Sequence, residues 1–430
     1  MWQRAWFRWS VRVLALAVLA VLATVFYLRS RGQRELDDAR KEFTEKVGSL
    51  DLTAYASKPV PEEENGAVWL LAGARAVVIF QPERAGLKSL AETPSSRWTQ
   101  EEVEFAKRLL ERNAPALTLL HRSLGKKACN LTDANSDGAG IGLQEVKAAR
   151  LLAADCRDAL RQGDMNRFFA SAEILGTLTS AQEREVDLID LLLSSYAERL
   201  LLPVLQEAAS SSTLDKADVT KLDDLIPHVD LMESWRKTQG KKVAEFEDRM
   251  ANGSEDEYLG WRPNWSARLK EWVLGDLDNA AYLRMWVRSM PWTIKPYGSR
   301  SLLPPPPLPS RFWGPWSVIG SIQTPNLWGA SGRLQAPMAL RQMTLLGLQV
   351  RKAGLEKGVY PADLSAFPGA KIADPFSGKP VAYTLNSDGS ATLMVPGADV
   401  LWKRVTQGKG AAVSFTWTLP PLSREVDRQK

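Results

Sequence analysis

Residues 13–28 read VLALAVLAVLATVFYL, an unbroken apolar stretch without a charged side chain. At a rise of about 1.5 Å per residue, a helix of this length spans roughly 24 Å, which approaches the ~30 Å thickness of a bilayer's hydrocarbon core. Trp9 precedes the stretch and Phe26 and Tyr27 close it, as aromatic residues do at membrane–water interfaces. The sequence therefore predicts a transmembrane helix, Val13–Leu28, behind a short cationic tail at residues 1–12.

A cleaved signal peptide begins with the same pattern of a cationic start and an apolar stretch. The best site for cleavage is the small-residue pattern Val21-Leu22-Ala23. Cleavage there would leave Val25 to Leu28 at the new N-terminus, where their apolar side chains would face water at a cost in free energy. The uncleaved anchor is the favoured interpretation of the two.

Positive charge is concentrated around this stretch. The first 34 residues hold six arginines and no acidic residue, whereas the other 396 hold 49 basic and 50 acidic residues. The soluble part therefore lacks the basic excess with which proteins neutralise a phosphate backbone, and nucleic acid is not an expected partner.

The same charges leave the orientation of the anchor open by the positive-inside rule, because basic residues flank the apolar stretch on both sides. A short cationic tail before an early apolar segment usually stays in the cytoplasm. On that basis we expect a single-pass protein of the bacterial inner membrane with its large domain in the periplasm.

The chain from residue 33 to residue 290 is predicted to be a soluble α-helical domain. Residues 33–50 alternate in charge, which favours a polar helix continuing from the membrane. Thr99-x-x-Glu102 is a capping-box pattern and opens a helix with apolar residues at helical spacing. A helix at about 143–162, broken at Gly163, begins a helical hairpin, and further helices are predicted at about 182–209, 215–226 and 229–250.

Residues 253–330 are unusually rich in tryptophan, and 304–307 are four consecutive prolines, a run that favours polyproline II geometry. We expect the last helices up to residue 290 and then an extended Pro/Trp-rich strap or linker at residues 291–331. The tryptophan rings of residues 253–330 either cover the core or line a groove for a carbohydrate or peptide. The tryptophans concerned are Trp261, Trp265, Trp272, Trp286, Trp292, Trp313, Trp316 and Trp328.

Residues 332–418 predict a small α+β module. A long helix ends at Gly358, a natural left-handed cap, and two strand-like runs flank Asn386-Ser387-Asp388-Gly389, a hairpin turn. The fold class is therefore mainly α with this one small mixed module at the end. Its predicted elements are a helix at about 333–356, strands at 381–385, 391–395 and 411–417, and a charged tail at 419–430.

The order of residues in this module resembles the C-terminal half of type II secretion major pseudopilins. The likeness covers residues 340–398 and depends on Gly358-Val359-Tyr360-Pro361, the run from Asp374 to Pro380 (DPFSGKP), Tyr383 and Asp388-Gly389. The same block closes many uncharacterised bacterial membrane-anchored proteins. The resemblance implies a helix decorated with a small sheet.

The anchor departs from that family. A pseudopilin carries a prepilin-peptidase site, Gly followed by Phe-Thr-Leu-x-Glu, before its membrane helix, whereas Trp9-Ser10-Val11-Arg12 stand here. The resemblance therefore implies an envelope protein with a pseudopilin-like module. It does not imply a pilus subunit, and it transfers no catalytic residue.

One constellation has the spacing of a metal site. Asp133, Asn135 and Asp137 precede Gly138, as oxygen ligands precede the glycine of an EF-hand calcium loop. The twelfth position of that loop should be glutamate but is Gln144. A polar turn that caps the next helix is the competing interpretation, and no other cofactor is expected.

Catalytic candidates are few. The only histidines are His121 and His228, which is too few for a zinc hydrolase, and neither a GxSxG elbow nor a phosphate-binding glycine loop is present. The two cysteines, Cys129 and Cys156, either pair in an oxidising compartment or remain buried thiols.

The sequence therefore favours a membrane-anchored scaffold that binds another envelope protein and performs no catalysis. The alternative is an anchored carboxylate-type hydrolase that acts on cell-wall glycan, since two acids brought together by folding leave no local signature.

Overall fold

The computed structural model describes residues 2–56, 60–126, 129–130, 141–184, 188–211, 214–228, 230–251, 265–300, 327–408 and 413–422. Within these residues the protein is mainly helical, with one small sheet near the C-terminus, so the predicted fold class is confirmed.

The helices are numbered in chain order. They are α1 (Trp2–Lys46), α2 (Ala67–Ala76), α3 (Arg84–Glu92), α4 (Gln100–Arg112), α5 (Ala114–His121), α6 (Ile141–Gln162), α7 (Met165–Arg184), α8 (Leu188–Ala209), α9 (Lys216–Asp224), α10 (Leu231–Ala251), α11 (Trp265–Ile294), α12 (Tyr297–Arg300), α13 (Leu327–Lys357) and α14 (Ala398–Val405). The strands are β1 (Ala382–Leu385), β2 (Ala391–Met394) and β3 (Thr416–Leu419).

The chain divides into two compact units. The first comprises residues 1–55, 239–292 and 305–325, and the second comprises residues 56–238, 293–304 and 326–430. This division differs from the linear order of domains that the sequence suggested, because the first unit combines the N-terminal helix with residues 239–292, much later in the chain.

In the first unit, α1 has two different halves. Up to Leu28 its side chains are mostly exposed, whereas Leu36, Ala39, Phe43 and Val47 are 5% exposed or less. Their spacing of three or four residues places them on one face of the helix. The second half of α1 therefore packs as an ordinary amphipathic helix.

The helical hairpin predicted around Gly163 is present in the second unit. Gly163 has a φ of +73° and ends α6, and the Asp164 amide bonds back to the Ala159 carbonyl at 2.9 Å. Across the turn, Arg167 and Ser171 of α7 both donate hydrogen bonds to the buried Asp155 of α6. The capping box at Thr99 and Glu102 is likewise confirmed at the start of α4.

The C-terminal sheet is antiparallel in the order β1-β2-β3, with Thr384, Thr392 and Thr418 in cross-strand register. The turn between β1 and β2 closes with a 2.8 Å hydrogen bond from the Asn386 amide to the Ser390 carbonyl, and Gly389 has a φ of +82°. The hairpin is as predicted, but the third strand lies at Thr416–Leu419, later than residues 411–417.

The sheet does not form a separate core. One continuous cluster of buried side chains contains Leu152 of α6, Leu201 of α8 and Leu340 of α13 together with Phe376 and Trp417 of the C-terminal region. Trp417 also donates a 3.0 Å hydrogen bond to Ser210 Oγ, just past α8. The residues of the predicted α+β module are therefore built into the second unit.

The described ends of the predicted strap are helical. Helix α11 runs through Pro291 to Ile294, and α13 begins at Leu327. Trp286 and Met290 are buried at helical spacing just before the expected break, and Thr293 is buried one turn after Met290, so the buried face of the helix continues past Pro291. The remainder of the strap, residues 301–326, lies outside the described residues.

Candidate functional site

The first half of α1 is the one helix of the described chain with the length and composition to cross a membrane. None of its most apolar 18-residue window is buried by the rest of the protein, and Leu14, Leu16 and Leu19 are 60–66% exposed. Burying one such side chain is worth about 1.5–3 kcal/mol. Exposure of this surface to water therefore carries a large cost in free energy, and transfer into a hydrocarbon phase would remove that cost.

The second half of α1 is tied to the first unit by two ion pairs. Arg40 donates from Nε and Nη2 to Glu247 Oε2 of α10, at 2.9 and 2.7 Å. Glu35 pairs with Arg284 of α11, and the hydrogen bond from that guanidinium lowers the pKa of Glu35. The apolar stretch and the packed soluble helix are thus one continuous element without a break between them.

The predicted calcium loop lies outside the described residues. Asp133, Asn135 and Asp137 all fall in the segment 131–140, so the structure gives no geometry for them. Among the residues that are described, no group of three or more His, Cys, Asp or Glu side chains has an arrangement that would hold a metal ion.

The tryptophans of residues 253–330 have different environments. Trp286 is 2% exposed and belongs to the core of the first unit, whereas Trp272 is 51% exposed. Trp292 is half-buried. The side chains of the other five lie outside the described part of the chain. They are Trp261, Trp265, Trp313, Trp316 and Trp328.

The two histidines lie in different environments. His121 Nδ1 forms a 2.7 Å hydrogen bond with the Leu117 carbonyl of its own helix, so this ring nitrogen carries the proton. His228 is exposed between α9 and α10.

Cys129 and Cys156 are both buried and do not form a disulfide, so the second of the two sequence interpretations holds. Burial raises the pKa of the Cys156 thiol well above its ordinary value. This thiol is consequently protonated and a poor nucleophile at neutral pH.

Buried charge gathers where α3, α6 and α8 meet in the second unit. Arg157 of α6, 1% exposed, donates to Glu207 Oε2 at 3.0 Å and to the Ala91 carbonyl. The other oxygen of Glu207 accepts hydrogen bonds from the Ser95 amide at 2.7 Å and the Ser95 hydroxyl at 2.6 Å. Each charge here has hydrogen-bonded partners, which suits a structural role.

Glu92 and Arg199, in the same region, are less completely satisfied. The Oε1 atom of Glu92 and the Nε atom of Arg199 are buried without a hydrogen-bond partner. Arg199 lies over the rings of Tyr196 and Trp402, 5.3 and 4.9 Å from their centres. Burial lowers its pKa to about 10 and raises the pKa of Glu92.

Arg150 completes this group, because its Nε donates a 2.6 Å hydrogen bond to the Tyr196 hydroxyl. A carboxyl group of raised pKa can donate a proton, and a guanidinium without a carboxylate partner can bind an anion. Sequence reasoning missed these residues because they come from separate helices and form no local motif.

Comparisons with known proteins return no match to a family model, a curated protein or a solved structure.

Proposed function

We propose that this chain is a single-pass inner-membrane protein whose periplasmic part is a scaffold that binds another protein of the bacterial envelope and performs no catalysis. The observation that carries the proposal is the continuity of α1, a single helix of 45 residues from Trp2 to Lys46. Its exposed apolar half suits a bilayer, and one face of its second half packs within the first unit.

This continuity also favours an anchor over a cleaved signal peptide. Cleavage after Ala23 would cut the helix about nine residues, or roughly 13 Å, before Gly32. An added Cβ on Gly32 would lie 3.1 Å from the Asp276 side chain, so α1 already packs tightly there. A processed chain would begin with Thr24, and the apolar residues Val25 to Leu28 would follow it next to this contact.

A protein-binding role is supported by apolar side chains that remain exposed in the C-terminal region. Ile372, Val400 and Val359 are 61%, 65% and 58% exposed, and Met394 on β2 is 41% exposed. Burial of such side chains against a partner removes apolar surface from water and lowers the free energy. The resemblance of this region to a pseudopilin module supports a partner from a secretion or envelope assembly.

The alternative, an anchored carboxylate hydrolase acting on cell-wall glycan, finds one candidate in Glu92, whose pKa is raised by burial. A glycosidase needs a second carboxylate at roughly 5–10 Å to act as nucleophile or base. Among the described residues, the charged groups that act most strongly on Glu92 are four cations: Lys88, Arg150, Arg157 and Arg199. This environment favours the scaffold over the hydrolase.

Site-specific photo-crosslinking in the native host tests the scaffold. A photoreactive amino acid is placed at Ile372, Met394 or Val400 of the full-length chain, and at the exposed polar control positions Glu101 and Lys107. We expect one envelope protein to be captured from at least two of the three apolar positions and from neither control. Capture should also be lost when Met394→Glu is combined with the probe at Val400.

Two outcomes would count against the scaffold. One is equal capture from the control positions. The other combines two results: no protein adducts form, and the wild type releases muropeptides from purified cell wall whereas Glu92→Gln does not. That pair of results would favour the hydrolase.

The periplasmic placement has its own test. Lys107→Cys in intact cells should react with a membrane-impermeant maleimide, while the buried Cys129 and Cys156 stay unlabelled. Labelling only after the inner membrane is opened would reverse the orientation and leave the anchor intact.

A further inference from the structure

Helix α11 runs alongside α1 in the same direction within the first unit. Arg29 lies over the ring of Trp272, 4.6 Å from its centre, Gly32 approaches Asp276, and Glu35 pairs with Arg284. Contacts that advance together along both helices require a parallel arrangement. Trp272 is therefore level with Arg29, one residue beyond the end of the apolar stretch at Leu28.

Three arginines follow the apolar stretch before the first acidic residue. Arg29, Arg31 and Arg34 precede Glu35, and Arg31 remains 52% exposed although it pairs with Glu35 at 3.6 Å. The rise from Arg29 to Arg34 is about 7.5 Å. The polar layer of a bilayer leaflet is of similar depth, roughly 5–8 Å beyond the hydrocarbon.

We propose that Arg29, Arg31, Arg34 and Trp272 form a headgroup collar, a surface that binds phospholipid headgroups on the side of the membrane that carries the soluble protein. The arginines donate hydrogen bonds to lipid phosphates, and the Trp272 ring lies at the boundary between headgroups and acyl chains. This inference rests on the membrane anchor proposed above and adds a contact made by α11, a helix far from the anchor in sequence.

Two physical arguments support lipid as the occupant. The collar is continuous with the apolar stretch, so a bilayer that surrounds residues 13–28 necessarily reaches Arg29. Trp272 exposes 51% of its surface, whereas Trp98, Trp235, Trp286, Trp402 and Trp417 are buried. An indole ring is most stable at a membrane interface, where one edge is apolar and the other wet.

A water-exposed cation–π pair is the competing explanation for the contact between Arg29 and Trp272. Such a pair is worth only about 0.5–1 kcal/mol and would place Trp272 in water. Depth relative to the bilayer therefore separates the two explanations.

The test measures depth in the full-length protein reconstituted in nanodiscs that contain anionic phospholipid. A nitroxide is attached at Trp272→Cys or at Ser30→Cys, the second of which keeps the Trp272 ring. The reference label is at Arg288→Cys, an exposed position on α11 about 24 Å beyond Trp272. The native cysteines are buried, so labelling is confined to the introduced one. Collision rates with oxygen and with a water-soluble nickel chelate give the depth of each label.

We expect nickel collisions at positions 30 and 272 to be severalfold fewer than at position 288. Equal nickel access at 272 and 288, or at 30 and 288, would overturn the collar. A fourth label at Leu19→Cys separates the two proposals. Frequent oxygen collisions and few nickel collisions there would support the anchor, independently of the result for the collar. Full nickel access at Leu19 would overturn both proposals.

A second variant tests the phosphate contacts themselves. Arg31→Gln with Arg34→Gln should raise nickel access at the Ser30 label severalfold, while Lys41→Gln with Lys46→Gln, later on the same helix, should leave it unchanged. If nickel access at the Ser30 label is unchanged in Arg31→Gln with Arg34→Gln, these arginines do not belong to the collar.

Discussion

Glu198 on α8 and Arg341 on α13 form a bidentate ion pair inside the second unit. Arg341 donates from Nε to Oε1 at 2.6 Å and from Nη2 to Oε2 at 2.9 Å, and Glu198 has no exposed surface. Removing two charges from water costs several kcal/mol per ion, so the pair persists only with both hydrogen bonds formed. It joins the helix expected to start a separate C-terminal module to the preceding helical hairpins.

The first prediction concerns this pair. Glu198→Ala should reduce the free energy of unfolding by about 3–5 kcal/mol, because it leaves the Arg341 guanidinium buried without its carboxylate. The measurement is a urea unfolding curve of the full-length protein in detergent, followed by far-ultraviolet circular dichroism.

The matched variant is Glu198→Ala combined with Arg341→Met. Removing both charges should recover at least about 1 kcal/mol of the loss, since the double change leaves no unpaired ion. Arg341→Met is also measured alone. If the losses of unfolding free energy in Glu198→Ala and in Arg341→Met simply add in the double variant, the two residues are not energetically coupled, and the pair does not tie α13 to α8.

Local features of the fold were predictable from sequence. Thr99 and Glu102 satisfy each other's backbone amides within one turn, and Gly358 adopts a φ of +71° that other residues rarely take. The turn at residues 386–389 likewise depends on its own Asn, Asp and Gly. In each case the physical cause lies within a few residues, so it is visible in the sequence.

Features that depend on distant contacts were not predictable. Glu198 and Arg341 are 143 residues apart, and nothing near either one indicates the other. Residues 332–418 read as an independent module because their secondary structure is complete, whereas their hydrophobic side chains share a core with α6 and α8. The prediction of an extended strap was wrong at Pro291, where the helix continues. Burial of neighbouring side chains there outweighs the tendency of proline to end a helix.

The second prediction concerns the packing of β3 on α13. A Cβ added to Gly347 would overlap the six-membered ring of Trp417, so there is no room for a methyl group. Gly347→Ala should destabilise the protein by about 1–3 kcal/mol from overpacking, although alanine is the better helix former by about 1 kcal/mol.

Gln349→Ala is the control, because Gln349 is exposed on the same helix. It should change the unfolding midpoint little. Near-ultraviolet circular dichroism should show an altered tryptophan signal in Gly347→Ala alone. Equal stability of the two variants would mean that Trp417 does not pack against this turn.

The candidate charge cluster shows the same limit of sequence reasoning. Glu92, Arg150 and Arg199 belong to three helices, and each residue type is common on solvated helix faces. Only the folded chain brings them together and desolvates them. Their perturbed pKa values follow from that burial and have no sequence signal.

The third prediction follows from the sign of the Glu92 shift. Burial raises the folded pKa of Glu92, so its contribution to stability is complete below the unfolded pKa and is lost as pH rises through the folded value. Glu92→Gln stays neutral and avoids this loss. The stability of Glu92→Gln relative to the wild type should therefore be higher at pH 7 than at pH 4, as measured by urea unfolding at both pH values.

Glu83 provides the opposite control. The hydrogen bond from Arg112 lowers the pKa of Glu83, so its contribution is present above the unfolded pKa and is lost as pH falls through the folded value. Glu83→Gln should thus cost more stability at pH 7 than at low pH. The same pH trend in both variants would contradict the opposite environments of the two carboxyl groups.

The last prediction tests the anchor. An arginine at the centre of a membrane helix costs about 2.5–3.5 kcal/mol on insertion scales, and every 1.4 kcal/mol changes an equilibrium tenfold. Leu19 lies near the middle of residues 13–28 and is 60% exposed in the protein, so Leu19→Arg should not disturb the soluble fold. We expect the fraction of Leu19→Arg that remains in membranes after alkaline carbonate extraction to fall well below that of the wild type, while Leu19→Val is retained fully. Release of the wild type itself, in a form that begins after Ala23, would instead identify residues 1–23 as a cleaved signal peptide and make the first half of α1 a targeting segment.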